Sequence, residues 1–186
     1  MQHLDIVRNK IVLELGAGCG LPSVLLRDVL GASSVVATDF WKENIDWTIS
    51  DESRLIPDHW HGMNLKYNVE DICKIAQVEM LDWHDLDSLK SIQSKYFIDV
   101  VIGSDLIYYE SDVEPLWQTL EILLEDVEEV ILFSPLAHNL RKALPSFRTL
   151  LKEKADEERY KVKEEIFQLH GSDEDCIIKM SITKSY

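Results

Sequence analysis

Cysteine, glycine and proline are all scarce in this chain. Its 186 residues include only 3 Cys, 7 Gly and 5 Pro. Because Cys19, Cys73 and Cys176 are odd in number and far apart, neither a disulfide framework nor a clustered C-x-x-C metal site is expected. We therefore expect a reducing compartment. Since 46% of the residues are hydrophobic, the chain is able to bury a core and is not expected to be disordered.

Long apolar runs are also lacking. No stretch approaches the roughly 20 apolar residues that span a bilayer. The first ten residues mix charged with apolar side chains, unlike a signal peptide. These absences predict a soluble intracellular protein in the cytoplasm, or also in the nucleus. A length of 186 residues predicts a single domain over residues 1–186, and we expect a monomer.

Basic residues are few compared with acidic ones. The 19 Lys and Arg against 34 Asp and Glu give a formal net charge of -15. This charge gives no general attraction for nucleic-acid phosphates or for anionic lipid, so neither nucleic acid nor a membrane is an expected partner. It is compatible with a basic partner, and also with a surface that simply aids solubility.

The chain does contain an alternation of short β-branched runs with longer segments of helical period, which is typical of an α/β protein. Five short apolar runs are expected to be strands buried on both faces. Two later runs alternate with charge and are expected to be edge-like or antiparallel. The seven candidates are residues 11–15, 34–38, 76–80, 98–103, 130–134, 162–168 and 176–183.

The clearest predicted helix follows the fourth strand. Apolar residues recur over residues 113–127 at steps of three and four, Asp112 is the expected N-cap, and Pro115 falls in the first turn. A later helical pattern is expected to break or restart at Pro145. Residues 51–71 have no clear period and are predicted to form a loop.

The most informative stretch is an apolar strand that runs into a turn with Gly16, Gly18 and Gly20. In an α/β sheet such a turn lies at the carboxyl end of a strand, where glycine permits close approach of the backbone to a ligand. The spacing fails the dinucleotide fingerprint G-x-G-x-x-G, because Leu21 stands where the third glycine would be. Glu14 also disfavours a diphosphate and favours a cationic ligand. We expect ligand binding here rather than a turn that only connects strand and helix.

Acidic residues follow the second and third predicted strands. Asp39 lies nineteen residues after Gly20, where doubly wound nucleotide-binding folds place an acid on the ribose hydroxyls. Asp82 and Trp83 follow the third strand and are suited to the amino edge and the face of an adenine. A solvated loop Asp and a half-buried Trp are the alternatives.

Taken in order, these motifs resemble the class I S-adenosylmethionine-dependent methyltransferases. The motifs are the glycine run that starts at Glu14, Asp39, the L-D-W run ending at Trp83, and the G-S-D-L-I-Y run from Gly103. More narrowly, the D-x-x-Y element that starts at Asp105 resembles methyltransferase family 16, the methyltransferase-like protein lysine methyltransferases. The resemblance implies a Rossmann-like, doubly wound, seven-stranded mixed sheet whose last strand is antiparallel and lies between the fifth and sixth.

The resemblance also implies a cofactor, S-adenosylmethionine, and a role for each motif. Its methionine part would face Glu14 and the backbone of the turn, Asp39 would hold the ribose, Asp82 and Trp83 would contact the adenine, and Ser104 would line the pocket. The implied cofactor-binding residues are Glu14, Gly16, Ala17, Gly18, Gly20, Asp39, Phe40, Asp82, Trp83 and Ser104.

Asp105 and Tyr108 are the candidate catalytic residues. A lysine target, with a pKa near ~10.4, must lose a proton before it attacks a methyl group, which a carboxylate or a phenol is able to assist. The two residues lie three apart at a strand exit, where both are able to point toward a pocket. The alternative is that Asp105 caps the next turn and Tyr108 packs beneath the sheet.

Other residues of interest have a structural explanation that is at least as good as a functional one. His59 and His61 lack a third ligand, so we predict no metal site. Cys19 is expected to be a small filler of the glycine turn. Three aromatic residues are candidates for the wall of a substrate channel or for core packing: Trp41, Trp47 and Tyr109.

The predicted activity is protein-lysine N-methylation, on a protein substrate. Arginine or histidine as the target remains open, as does a small-molecule methyltransferase on the same fold. A non-catalytic, cofactor-binding interaction module is a further alternative. It stays open because only ten residues precede Ile11, fewer than the N-terminal segment that relatives in the resembling family usually carry.

The acidity is concentrated in one stretch of the chain. Between Tyr96 and Leu140 there are ten acidic residues and no Lys or Arg, which accounts for 10 of the 15 net negative charges. We expect Glu110, Asp112 and Glu114 to rim the site for a basic protein segment. The acids of residues 121–129 are expected to be only solvated.

Overall fold

The computed structural model describes residues 6–18, 20–40, 76–136, 142–168 and 176–185. The predicted loop at residues 51–71 lies outside these ranges. Contacts between residues divide the chain into two compact units, Met1–Phe97 and Ile98–Tyr186, which are described in turn. The single domain stays a prediction.

The seven strands belong to one mixed sheet with the order β3-β2-β1-β4-β5-β7-β6, which confirms the expected fold class and the place of the last strand. The strands are β1 Ile11–Leu15, β2 Ser34–Asp39, β3 Ala76–Met80, β4 Val100–Ser104, β5 Glu129–Pro135, β6 Tyr160–Gln168 and β7 Cys176–Lys184. The largest difference from the predicted bounds is at β4. The predicted strand begins at the apolar residue Ile98. Ile98 is buried, but pairing with β5 starts only at Val100, so the strand begins two residues later than predicted.

In the unit Met1–Phe97, β2 pairs in parallel with both β1 and β3. The continuous apolar runs of β1 and β2 predicted burial on both faces, and Val12, Leu13 and Val36 are indeed fully buried. Helix α1 (Leu21–Val24) follows the glycine turn and continues as a π-helical segment, Leu25–Val29.

Helix α2 (Leu86–Lys95) follows β3 in the same unit. The Asp85 side chain caps its first turn by accepting a hydrogen bond from the Asp87 N–H at 3.1 Å. An N-terminal cap of this kind fixes where α2 begins, and so fixes the length of the segment between β3 and the helix.

In the unit Ile98–Tyr186, β4 and β5 are parallel, whereas β7 runs antiparallel to both β5 and β6. Along β7, the side chains of Ile178, Met180 and Ile182 are completely buried at alternate positions, as the period of a strand requires. Helices α3 (Val113–Leu123) and α4 (Leu144–Asp156) belong to this unit.

Two details of the predicted helices are corrected. Asp112 occupies the N-cap position of α3, but its side chain makes no capping hydrogen bond and instead accepts one from the Ser111 hydroxyl at 3.0 Å. The reason is that Asp112 has helical dihedral angles at the end of a 3₁₀ turn, whereas a capping residue is normally extended. Helix α3 also ends at Leu123, before Val127.

Pro145 lies at the start of α4, as the restart of the helical pattern predicted. Its missing N–H costs nothing there, because the first N–H groups of a helix have no partner within the helix. The helix then buries Phe147 and Leu151 completely. Within the described residues, no helix combines the length and the apolar character needed to cross a membrane.

Candidate functional site

The glycine turn after β1 has a backbone conformation that glycine adopts more readily than other residues. Gly16, Gly18 and Gly20 have φ angles of 60°, 51° and 73°, in the left-handed region that other residues avoid. A Cβ placed on Gly18 would meet no described atom within 4 Å, so there is open space beside this residue. The turn is closed by the Gly20 N–H, which donates to the Ala17 carbonyl at 2.7 Å.

Glu14, two residues before the first glycine, is a buried carboxylate with a side-chain donor. Glu14 is only 1% exposed, and the hydroxyl of Ser23, which is also buried, donates a hydrogen bond to Glu14 Oε2. Burial raises the pKa of Glu14 from 4.5 to about 7, since removal from water disfavours the charged form, while the Ser23 hydrogen bond opposes the rise. The negative charge of Asp39 adds a smaller upward contribution to this pKa.

Asp39, at the end of β2, lies against the glycine turn. Its Oδ2 accepts a hydrogen bond from the Gly18 N–H at 2.9 Å, and its Oδ1 accepts one from the Phe40 N–H at 2.8 Å. A carboxylate oxygen is able to accept more than one hydrogen bond, so a hydroxyl donor can bind beside the two amides. The structure therefore brings together two elements that the sequence separates by about twenty residues. Phe40 itself is 47% exposed.

Asp82 and Trp83 follow β3 in the same unit, and a backbone hydrogen bond links this segment to Asp39. The Leu81 N–H donates to the Asp39 carbonyl at 2.9 Å. Asp82 Oδ1 accepts from the His84 N–H at 2.8 Å, which makes a local turn, and both Asp82 and Trp83 are half-buried. The predicted ribose and adenine residues are therefore neighbours at the ends of β2 and β3.

Asp105 and Tyr108 lie on one turn at the end of β4. Asp105 has a φ of 59°, and its N–H donates to the Phe133 carbonyl of β5 at 2.8 Å. The Tyr108 hydroxyl donates to Asp105 Oδ2 at 3.4 Å. Since Tyr108 is 38% exposed, the alternative that it packs beneath the sheet is wrong. Ser104, the last residue of β4, is exposed.

The residues between this pair explain how the turn is held. Leu106 and Ile107 are buried, so the chain turns its two apolar side chains inward and leaves Asp105 and Tyr108 outside. Gly103 provides the room for Leu106, because a Cβ at position 103 would lie 2.5 Å from a Leu106 methyl carbon. The glycine is thus required for close packing, although its own φ is ordinary.

Three acidic residues follow Tyr108: Glu110 and Asp112 lie in the 3₁₀ turn before α3, and Glu114 lies in the first turn of α3. Glu110 accepts a hydrogen bond from the Ser146 hydroxyl at 2.9 Å, and Glu114 accepts one from Gln118 at 3.3 Å. Glu110 and Glu114 are exposed and Asp112 is partly exposed. These carboxylates form an acidic rim beside the Asp105–Tyr108 turn in the sequence.

Two acids near the end of α3, Glu121 in the helix and Glu125 just after it, are not merely solvated, which corrects the prediction for residues 121–129. Glu121 accepts hydrogen bonds from the Tyr160 hydroxyl at 3.1 Å and from Arg159 at 3.3 Å, and Glu125 forms an ion pair with Lys184. The partners lie 38 to 59 residues away in sequence, and only the folded sheet brings them close.

Residues that sequence reasoning missed are Ser23, Thr38 and Gly103. Thr38 is a completely buried polar residue, and its hydroxyl donates to the Glu14 carbonyl at 2.7 Å. The available signal was a hydroxyl at the end of an otherwise apolar strand, directly before Asp39. For Ser23 the signal was weaker, since a serine after a proline in a first helical turn has many ordinary explanations.

Five of the other candidate residues lie outside the part of the chain that the structure describes: Cys19, Trp41, Trp47, His59 and His61. Tyr109 is described, and it is 68% exposed. Among the described residues, no group of three or more His, Cys, Asp or Glu side chains is placed to hold a metal ion.

Comparison with protein families gives a match over most of the chain. The sequence model of a family described as lysine methyltransferase matches residues 2–153. This match was expected from the glycine motif, the L-D-W run and the D-x-x-Y element.

Curated relatives agree with the family match. The Candida glabrata protein named "Protein N-terminal and lysine N-methyltransferase EFM7" is 32% identical over 161 residues, which cover 80% of this chain and 56% of that protein. The Chaetomium thermophilum "Protein-lysine N-methyltransferase EFM3" is 32% identical over 126 residues, which cover 64% of this chain and 33% of that protein. The chain spans about half the length of the curated relatives it matches.

Solved structures share the fold at low sequence identity. The methyltransferase domain of bacterial CtHen1-C has a TM-score of 0.66 and 14% identity, with 95% of this chain and 90% of that chain covered. TrmK of M. capricolum, solved with S-adenosyl-homocysteine, has a TM-score of 0.58 and 14% identity, with 100% and 67% covered. At these identities the likeness concerns the fold.

Proposed function

The chain belongs to the lysine methyltransferase family, and we propose that it transfers the methyl group of S-adenosylmethionine to a lysine side chain of a protein. Family membership supports the predicted class of enzyme and its cofactor. The observation that carries the proposal is the Asp105–Tyr108 pair, a partly exposed carboxylate and an exposed phenol held on one turn by two buried apolar residues.

The residues around the glycine turn fit this cofactor. Glu14 offers a carboxylate whose negative charge suits the cofactor's ammonium group. Because burial raises the pKa of Glu14 to about 7, the side chain must first lose its proton to carry that charge. Asp39 offers carboxylate oxygens with lone pairs for the ribose hydroxyls. Asp82 and Trp83 offer an acceptor and an aromatic face for the adenine. The open space beside Gly18 allows a ligand to approach the backbone.

The proposed chemistry asks for positioning more than for covalent catalysis. The bound cofactor would supply a methyl group on a sulfonium: the nitrogen lone pair would attack the methyl carbon in line, the carbon–sulfur bond would break, and S-adenosylhomocysteine would leave. Asp105 and Tyr108 accept hydrogen bonds from the lysine amine, orient its lone pair, and help it to lose the proton it carries near its ordinary pKa of ~10.4. Ser104, exposed at the end of β4, is proposed to line this pocket.

The proposed substrate is a basic protein segment. Its support is the acidic rim of Glu110, Asp112 and Glu114, which begins two residues after Tyr108 in the sequence. A protein N-terminal amine is the second candidate target, because the relatives that carry the name EFM7 are described as acting on N-terminal and lysine nitrogens. A monomer in the cytoplasm, or also in the nucleus, remains part of the proposal.

Asp105→Asn tests the proposal. Asparagine tolerates the left-handed backbone of position 105 and keeps the shape of the side chain, but it cannot act as a carboxylate. We expect labelling of proteins in a cell extract by radioactive cofactor to fall by at least about 100-fold. The melting temperature and the binding of S-adenosylhomocysteine should be unchanged.

The matched control is Asp156→Asn, at the exposed last residue of α4, which should label like wild type. Full labelling by the Asp105→Asn protein would refute the assigned role. Mass spectrometry of the labelled band distinguishes a lysine target from an N-terminal amine, an arginine or a histidine. Labelled small molecules without labelled protein would favour the small-molecule alternative.

A further inference from the structure

Thr38 makes two hydrogen bonds that lie on either side of Gly16. Its hydroxyl donates to the carbonyl of Glu14 at 2.7 Å, and its carbonyl accepts from the N–H of Ala17 at 2.8 Å. Gly16 itself has a φ of 60°. One residue of β2 therefore holds the chain both before and after the point where β1 turns away from the sheet.

The position of Thr38 in the sheet explains why a side chain is used. The parallel ladder between β1 and β2 ends with the pairing of Glu14 and Ala37. The next residue of β2 is Thr38, and its hydroxyl supplies a donor to the Glu14 carbonyl at this last position of the ladder. The next residue, Asp39, then binds the Gly18 N–H at 2.9 Å. Three successive attachments thus join β2 to the turn.

We propose that Thr38 is the positioning residue of the cofactor site, which sets the glycine turn and Glu14 in register with Asp39. The inference rests on the proposed function, because the turn, Glu14 and Asp39 are the groups assigned to the cofactor. Thr38 is completely buried and acts only through these neighbours. Its hydroxyl bonds the carbonyl of the residue whose carboxylate is assigned to the ammonium group.

Thr38→Val isolates the hydroxyl, because valine has nearly the same shape but cannot donate. The buried Glu14 carbonyl then loses this donor, and the end of β1 is free to shift against β2. We expect S-adenosylhomocysteine to bind about tenfold more weakly in calorimetric titration. The KM for S-adenosylmethionine should rise by a similar factor, while kcat at saturating cofactor stays the same.

Two further variants separate positioning from general stability. Thr119→Val makes the same change at a completely buried threonine of α3 whose hydroxyl has no hydrogen-bond partner among the described residues, and it should bind like wild type. Thr38→Ser keeps the hydroxyl and loses a buried methyl group. We expect this variant to melt at a lower temperature yet to bind the cofactor product with wild-type affinity.

The outcomes are distinguishable. Weak binding by Thr38→Val together with normal binding by Thr38→Ser and Thr119→Val supports the inference. Normal binding by Thr38→Val overturns it, and so does equal weakening of both Thr38 variants, which would mean that affinity follows stability. If wild-type protein does not bind the cofactor product, the proposed function fails and the inference fails with it.

Discussion

Glu14→Gln tests whether burial in the folded chain destabilises the charged form of the Glu14 side chain. In the folded chain the pKa of Glu14 is about 7, against an ordinary value of 4.5. Below pH 4.5 the side chain is protonated in both folded and unfolded states, and it has no effect on the pH dependence of stability. Between pH 4.5 and 7 the unfolded chain releases the proton while the folded chain keeps it, so the free energy of unfolding falls as the pH rises. Above pH 7 both states are charged and the loss is complete.

The magnitude follows from the size of the shift. A rise from 4.5 to about 7, at about 1.4 kcal/mol per pKa unit, corresponds to about 3 kcal/mol. Glutamine does not titrate. Burial of its amide has a free-energy cost, but that cost is the same at every pH. It therefore does not affect how the difference in unfolding free energy between variant and wild type changes with pH. The free energy of unfolding of the Glu14→Gln variant minus that of wild type should therefore increase by about 2 to 3 kcal/mol between about pH 5 and pH 8.

Urea unfolding followed by circular dichroism at several pH values measures this difference. Glu153→Gln, on the exposed surface of α4, is the matched control and should keep a profile parallel to wild type. Parallel profiles for the Glu14→Gln variant and wild type would refute the reasoning, since they would show that Glu14 titrates alike in both states. The same substitution should weaken S-adenosylhomocysteine binding at about pH 8 by about tenfold, because the ammonium group loses its charged partner.

Two further predictions concern the unit Ile98–Tyr186. Gly103→Ala should lower stability by about 1 to 3 kcal/mol and reduce methyl transfer, because the new Cβ would lie 2.5 Å from Leu106 and 3.0 Å from Leu132. Adding Leu106→Ala should restore part of the activity, and wild-type activity in the single variant would contradict the packing argument. Changing Glu110, Asp112 and Glu114 to Lys should raise KM for a basic protein substrate and reverse its salt dependence, whereas Glu153→Lys with Asp156→Lys should not. An unchanged salt dependence would leave the acidic rim with a role in solubility only.

Most of the individual strands could be predicted because their signals are local. The runs at β1 and β3 were placed with the correct bounds, since strands buried on both faces are short, apolar and bounded by turn residues. The glycine spacing predicted a turn before α1, between β1 and the helix. The place of β7 between β5 and β6 came from the family resemblance, because the alternation of charge indicates an edge or an antiparallel strand but not its neighbours.

The interior of the candidate site could not be predicted in the same way. The role of Thr38 depends on the register in which β1 pairs with β2, which no local pattern specifies. Glu14 looked like a charge available to a ligand, whereas its burial against Ser23 determines how much charge it carries at neutral pH. Glu121 and Glu125 looked solvated because Tyr160, Arg159 and Lys184 are distant in sequence.

The left-handed backbone of Asp105 also lay beyond sequence reasoning. Aspartate tolerates this conformation better than most residues, but the residue type alone does not select it. In the structure Asp105 lies between Gly103 and Leu106, whose close packing depends on contacts that the sequence pattern does not show.

The insertion of β7 between β5 and β6 has a consequence for biosynthesis. β7 is the last of the seven strands to leave the ribosome, and β6 has no other neighbour in the strand order. The ladders among β1, β2 and β3 need nothing from this segment and are able to form while translation continues. A nascent chain that stalls before Cys176 instead presents one side of β5 and both sides of β6 as unpaired edges, which invite pairing between chains. Synthesis of β7 therefore removes these exposed edges, because it pairs with β5 on one side and with β6 on the other.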